Sequence, residues 1–222
     1  MAAPMRKIGG LLRFLVLPAE LRLTCKLLRS NYSPTYQRRY LWHWLNSVFN
    51  RIDHERVKEV GPDRACAEWL LRCGAHVRWC DAEKFETDYN RLPLGNYRKY
   101  KIEEVNADEA AIMGLGFEHF NNVKHLKKMR FHFCSYLEDD AMQELTRLKD
   151  SLEHLVIGSC GDITDRGLGA LCNLHLLKSL TLYNLPEVKD KKGCIDLLQK
   201  SLPQCTIEFV ELPTKLDKPE KT

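Results

Sequence analysis

Most of the usual carriers of chemistry are missing from this sequence. It has no run of about 18 apolar residues, the length a helix needs to cross a bilayer, so any membrane location is expected to come through a partner. It has no Cys-x-x-Cys, no His-Glu-x-x-His and no Gly-x-Ser-x-Gly, which removes the common zinc, metalloprotease and nucleophile readings. Gly114-Leu115-Gly116 lacks the third glycine and the following Lys-Ser/Thr of a phosphate loop. No catalytic residue is assigned on this basis, and neither a nucleic acid nor a small-molecule substrate is expected.

Acid is scarce at one end of the chain. Residues 1–40 hold eight Lys/Arg (Arg6, Lys7, Arg13, Arg22, Lys26, Arg29, Arg38, Arg39) against one acid, Glu20. The formal charge of +4 is therefore uneven, and the rest of the chain carries 26 basic and 29 acidic residues. A basic, Leu-rich, acid-poor start reads as a mitochondrial transit peptide over 1–40, its cationic face drawn inward by a membrane potential negative inside. Arg39, second before the bond that follows Tyr40, suits the matrix processing protease. The alternatives are a basic arm, or a secretory signal around Leu11–Leu17. Arg13 interrupts that run, and no small-residue cleavage site follows. The nine cysteines are odd in number and form no metal spacing, so they read as reduced thiols packed as small hydrophobes. Cys66, Cys73 and Cys80 recur every seventh residue, but Gly74 separates the last from any shared helix, and the spacing is taken as coincidence.

What the chain does have is an echo. Leu126, Met129, Phe131, Cys134, Leu137, Met142, Leu145 and Leu148 return 26 places later as Leu152, Leu155, Ile157, Cys160, Ile163, Leu168, Leu171 and Leu174. The spacing L-x-x-L-x-L-x-x-C-x-x-I/L is that of a cysteine-containing leucine-rich repeat, one strand, one loop and one helix per copy. A fourth copy runs at an offset of 25, through Leu177, Leu180, Leu182, Leu185 and Val188, with Ile195, Leu198 and Leu202 as its helix. A degenerate first copy is placed by Tyr100 and Val105, 26 before Leu126 and Phe131, with a helix over about Glu109–Phe120. Cys205–Phe209 closes the sheet. The fold class is thus α/β: a short solenoid of about four strand–helix repeats over 99–209, capped by a helical domain over 41–98, with a loose tail at 210–222. One copy alone cannot bury its apolar face, so stacking and a cap are needed.

Within the cap, Trp42, Leu45, Val48, Phe49 and Ile52 fall on one helical stripe. Trp42 and Trp44, two apart, do not share a face, so one packs inward and the other is free to anchor on a membrane or partner, unless both pack on the cap. Asp53 is read as the N-cap of a helix to Val60. Pro62 opens a helix to Cys73 and Gly74 closes it. His76–Cys80 alternates as a strand, and Asp88–Gly95 loops out. In the repeats, the side chains between the buried ones project to the concave face: Lys128, Arg130, His132; His154, Val156, Gly158; Ser179, Thr181, Tyr183. They are the candidate partner-binding residues, although an ordinary solvated sheet face would look the same. Glu138-Asp139-Asp140 and Asp165 start helices and read as caps. His132-x-Cys134 is at most half a metal site, its members assigned to opposite sides of the strand.

Particular words extend beyond the repeat leucines: Trp44–Asn50 (WLNSVFN), Gly61–Ala65 (GPDRA), Glu68–Ala75 (EWLLRCGA), Asp88–Asn90, Leu92–Pro93, Tyr100–Ile102, Ile112–Met113, Gly116–Phe117 and Tyr136–Asp140. In these the chain resembles the mitochondrial ATP synthase subunit s, or coupling factor B, family, with the complex I distal membrane-arm assembly component a related group. The resemblance implies a peripheral protein on the matrix side of the inner membrane, associated with the proton-conducting sector of ATP synthase and involved in coupling proton flow to synthesis. It implies a magnesium ion at Gly61 and Leu94, where relatives have Thr in the second position. It also implies a Cys-x-Cys dithiol in the second repeat, whose first member is here His132. The leading expectation is a non-enzymatic adaptor. The alternatives are an assembly factor for another respiratory complex, such as the complex I distal membrane arm, and a cytosolic F-box-like repeat receptor, which the presequence opposes.

Overall fold

The computed structural model describes residues 34–210, with side chains from residue 41. The transit peptide over 1–40, apart from the backbone from Pro34, and the tail beyond 210 lie outside the described residues. The chain divides between Trp44 and Leu45 into two units, and all packing below lies within the second. Three helices come first: α1, Pro34–Asn50; α2, His54–Val60; and α3, Pro62–Arg72. The bond after Tyr40 falls inside α1. Asp53 caps α2 by accepting from the Arg56 N–H at 3.0 Å. Pro62 occupies the first turn of α3, where its missing N–H costs nothing. Gly74 follows at φ +90, a backbone that stops a helix and that glycine adopts most easily.

One six-stranded sheet comes next, in chain order: β1, His76–Trp79; β2, Ile102–Asp108; β3, Lys128–His132; β4, His154–Gly158; β5, Ser179–Tyr183; β6, Thr206–Val210. β1 is antiparallel to β2 and the rest are parallel. Parallel neighbours need a return across one face. That return is α4, Asp139–Glu144; α5, Asp165–Ala170; and α6, Lys191–Ser201, the first two running on into 3₁₀ turns at Leu145–Leu148 and Leu171–Asn173. The molecule is a mixed α/β protein with its core between this sheet and these helices. Val105 and Ala107, Met129 and Phe131, Leu155 and Ile157, Leu180 and Leu182 line that core with almost no solvent exposure. At β6 the pair Ile207 and Phe209 is only half-buried, as the outer strand has a neighbour on one side alone.

The register confirms the offsets of 26 and 25: Met129 lies beside Leu155, and Leu155 beside Leu180. It corrects the first copy. Val105 pairs with Met129 and Ala107 with Phe131, an offset of 24, so Val105 is not the counterpart of Phe131. The helix expected over Glu109–Phe120 is a 3₁₀ turn over Gly114–Phe120 alone; Glu109 takes φ +55 where the chain leaves the sheet. That turn recurs. Glu109, Phe133, Ser159 and Asn184 all have φ between +47 and +55, each one residue past the end of its strand. It also corrects the reason given for His132-x-Cys134. Strand alternation puts residues two apart on the same side; the left-handed Phe133 between them is what leaves His132 half-buried on the sheet face while Cys134 is buried.

Two further expectations change. The stripe on α1 is not a buried face within the second unit: Val48 is 42% exposed and Phe49 38%, and Ile52 lies past the helix end, while Trp42 and Trp44 belong to the first unit. The buried residue of α1 is Asn50. Its Nδ2 donates to the carbonyls of Asn46 and Ala111, while its Oδ1 accepts from Trp69 Nε1 and the Met113 N–H, so every bond it can make is satisfied. The acids at α4 and α5 read as caps, but Glu138 makes no capping bond and Thr164 caps α5; Asp139, Asp140 and Asp165 lie in the first turns. Asp139 accepts from the N–H and hydroxyl of Thr164, at 2.8 and 2.6 Å, which holds the start of α5; Asp165 accepts from the N–H groups of Lys189 and Asp190, ahead of α6.

Candidate functional site

The core takes one face of the sheet, and no described helix crosses the other. In register, the open face carries three rows. The first is Arg78, Glu104, Lys128, His154, Ser179, Thr206; the second His76, Asn106, Arg130, Val156, Thr181, Glu208; the third Asp108, His132, Gly158, Tyr183, Val210. All of Lys128, Arg130, His132, His154, Val156, Ser179, Thr181 and Tyr183 are therefore on one surface. Lys128 and Arg130 are exposed and the other six half-buried. Glu104, Asn106, Asp108 and the β1 side chains His76 and Arg78 belong to it too. An offset of 24 or of 26 puts Glu104, Asn106 and Asp108 on this face alike, since a two-residue slip keeps the alternation, while the antiparallel β1 follows from no repeat offset.

These additions change its charge. Arg130 Nε sits 3.0 Å from Asp108, and Arg78 reaches Glu104 at 2.8 Å and Glu103 at 2.9 Å. Lys128 has no ion pair among the described residues and is the free cation of the central rows. His154 Nδ1 lies 2.7 Å from Ser179 Oγ, and the Tyr183 hydroxyl 3.0 Å from His132 Nδ1. Burial pushes the Tyr183 phenol up, which keeps its proton in place. The Tyr183 ring lies over Gly158, where an added Cβ would come within 1.9 Å of it. Gly158 is thus the notch that lets Tyr183 lean across β4 to β3. The His154–Ser179 contact joins β4 to β5 across the open face.

Along the edge where the parallel strands begin, Glu103, Lys127, Glu153 and Lys178 alternate in sign. Lys127 reaches Glu103 at 3.4 Å and Lys178 reaches Glu153 at 2.7 Å. The same offsets that align the leucines align these charges, a signal that reading apolar positions alone passes over.

Behind the face, Cys134 Sγ donates to the Ala107 carbonyl and Cys160 Sγ to that of Gly158. The Cys134 thiol is pushed well up, first by the neighbouring Cys160 sulfur and then by burial, so it packs as a protonated thiol.

Gly61 and Leu94 could offer a magnesium ion main-chain oxygens alone. That ion asks for oxygen ligands in a near-octahedral shell. The Gly61 carbonyl already accepts from Ala65 N–H, and the Leu94 side chain, 88% exposed, offers no oxygen. Around Gly61 stand Arg64, Arg98 and Lys101. The one acid there, Asp63, is bonded to Lys101 Nζ at 2.8 Å and to the Ile102 N–H at 3.1 Å. Among the described residues no three His, Cys, Asp or Glu converge as metal ligands.

Fold and face together define a mixed α/β protein with a six-stranded sheet, one face of which is uncovered by any described helix. No family model matches the chain. It is 44% identical over 174 residues to rat ATP synthase subunit s, mitochondrial, covering 77% of this chain and 87% of that protein. The human protein of the same name is 43% identical over the same coverage. Distal membrane arm assembly component 2 of Drosophila melanogaster is 27% identical over 160 residues, 69% of this chain and 55% of that one. The chain belongs to the mitochondrial ATP synthase subunit s family.

Proposed function

We propose that the chain is a leucine-rich-repeat solenoid capped by its N-terminal helices, and that it works as a non-enzymatic adaptor in mitochondria. In this reading it sits peripherally on the matrix side of the inner membrane, bound to the proton-conducting membrane sector of ATP synthase, and helps couple proton flow to synthesis. The observation that carries it is the open face: five parallel strands in register, with Lys128 on it as a cation that has no ion pair among the described residues. Repeat folds expose such faces to grip other polypeptides. The names of the relatives supply the complex, and the basic residues 1–40 support import. The described helices include none long and apolar enough to cross a membrane, in keeping with peripheral attachment.

The test is charge reversal. Lys128→Glu weakens co-purification with ATP synthase at unchanged thermal stability, and Lys128→Glu with Arg130→Glu weakens it further. Undiminished co-purification of both variants would move the docking site elsewhere. The Drosophila relative favours a second reading, assembly of the distal membrane arm of complex I. Deleting the gene separates the two: loss of coupled ATP synthesis with intact complex I supports the first, and stalled complex I intermediates the second.

A further inference from the structure

We propose that the connection between β1 and β2 is a lipid-surface finger: Leu94 at its tip enters an anionic phospholipid bilayer while Arg91, Arg98 and Lys99 hold the phosphates. The observation is an apolar side chain where folding has no use for one. Leu94 is 88% exposed, the highest value of any large apolar residue described, whereas Leu92, two places earlier, is 3% exposed. The turn that lifts Leu94 is built firmly. Gly95 and Asn96 take φ +70 and +38. Behind them the buried guanidinium of Arg64 donates to the Pro93 carbonyl at 2.6 Å and to Glu68 at 2.8 Å, and lies 5.2 Å from the centre of the Tyr97 ring. A tip so braced cannot fold back to hide its leucine.

Its surroundings select the occupant. Residues 89–101 (YNRLPLGNYRKYK) contain four cations, three tyrosines and no acid. Lys101 is used by Asp63. Arg91 meets only Asp88, at 3.9 Å, and Arg98 and Lys99 are exposed with no ion pair among the described residues. Tyr89, 42% exposed, adds an amphipathic ring. Aromatic rings and cations around an apolar tip match the layering of a membrane interface, with phosphate outside and hydrocarbon within. A bilayer accepts a convex tip without a matching pocket, which a folded protein surface would have to supply. The finger deepens the membrane contact proposed above, but its test does not require ATP synthase.

The experiment floats the full chain with vesicles of phosphatidylcholine alone or mixed with phosphatidylglycerol. Binding is expected to the mixed vesicles. Leu94→Asp lowers that partition about tenfold; Arg98→Glu with Lys99→Glu lowers it at least about fivefold per charge. Leu115→Asp, at an exposed leucine away from the finger, leaves it unchanged. The basic residues 1–40 are common to all variants and cancel in the comparison. A local readout stands beside it: Leu94→Trp gains fluorescence quenching by lipids brominated on their acyl chains, relative to the unsubstituted chain. Equal partition of Leu94→Asp, or no added quenching of Leu94→Trp, overturns the proposal. So does a Leu94→Asp variant that loses ATP synthase but keeps its vesicle binding, which would assign the finger to a protein partner.

Discussion

The two ends of the sheet are held by different forces. From β3 to β5 neighbouring strands meet through apolar side chains of nearly equal size, Leu155 on Leu180 and Ile157 on Leu182, with polar bonds on the open face and at the buried Asp139, which holds Thr164. At the β1–β2 end the helices seat themselves through buried polar groups: Asn50 on Ala111 and Met113, Asp63 on Lys101 and Ile102, Glu68 between Arg56 and Arg64. A repeated unit finds its place because the previous unit is its template. A cap has no template, and an apolar face alone would let it settle in several ways. Buried polar groups cost free energy whenever they miss their partners, so they reject the wrong seatings.

The largest contrast should come from removing the centre of each region. Trp69 stacks on His119 at 4.8 Å, meets Phe117 and Phe120 edge-on, and bonds Asn50. Trp69→Ala leaves a large cavity and strips Asn50 of a donor, for an expected loss of about 4–5 kcal/mol. Leu180→Ala, equally buried among apolar neighbours, is expected to cost about 3 kcal/mol. Urea unfolding of both variants checks the order. A larger loss at Leu180 would mean that the cap contributes little to holding the domain.

Acid sharpens the same comparison. His119 is buried against Trp69, its Nε2 lies 3.4 Å from the Arg51 carbonyl, and its Nδ1 has no partner among the described residues. Burial pushes its pKa down from 6.5 to about 4. The folded chain therefore keeps His119, in the turn Gly114–Phe120 packed on Trp69, neutral at a pH where the unfolded chain protonates it. Stability falls as pH drops from about 6.5 towards 4, by about 3 kcal/mol in all. Glu68 adds to this at lower pH. Burial raises its pKa, but hydrogen bonds from Arg56 and Arg64 outweigh that and lower it, so its contribution is present above the unfolded value of about 4.5 and is lost as pH falls through the folded one. Hydrogen exchange at pH 5 against pH 7 should show α3 and Gly114–Phe120 opening first while β4 and β5 stay protected. His119→Phe should flatten the slope above pH 4.5.

The comparison also explains what the sequence made legible. Periodicity is visible where one unit copies another, so β3, β4 and β5, their inward leucines and their outward ladder follow from the offsets of 26 and 25. The first unit is two residues shorter, and its helix is reduced to a 3₁₀ turn packed on Trp69 and Asn50. Gly116 allows that close approach: a Cβ there would lie 2.5 Å from the indole and 2.7 Å from Asn50 Oδ1. The bonds from Asn50 to Ala111 and Met113 join distant parts of the chain and leave no periodic trace. A helical stripe therefore points to the exposed Val48 and Phe49 and misses Asn50. Glu104 and Asp108 lie on the open face at either even offset, but their pairing with Arg78 and Arg130 leaves no mark on a pattern of apolar residues.

The smallest expected effect lies on the rim, where charge follows the repeat without being buried by it. Lys127 and Glu103 face each other at 3.4 Å, half-exposed and one-fifth exposed, and Glu103 also meets Arg78. Burial, the largest single influence, raises the Glu103 carboxyl, but hydrogen bonds and charge from Lys127 and Arg78 together outweigh it and lower it on balance. Solvent screens such a pair, so Glu103→Gln should cost below about 1 kcal/mol, and less in high salt. Its interest is directional. If the alternating charges set register between neighbouring units, exchanging both partners, Glu103→Lys with Lys127→Glu, fails to restore stability, because each new charge then opposes its other neighbour. The ammonium introduced on β2 repels Arg78, and the carboxylate introduced ahead of β3 approaches Glu153. If the pair acts alone, the exchange restores stability. A double-mutant cycle in low salt reads the difference. Full restoration would reduce the rim to isolated ion pairs and leave register to the leucines.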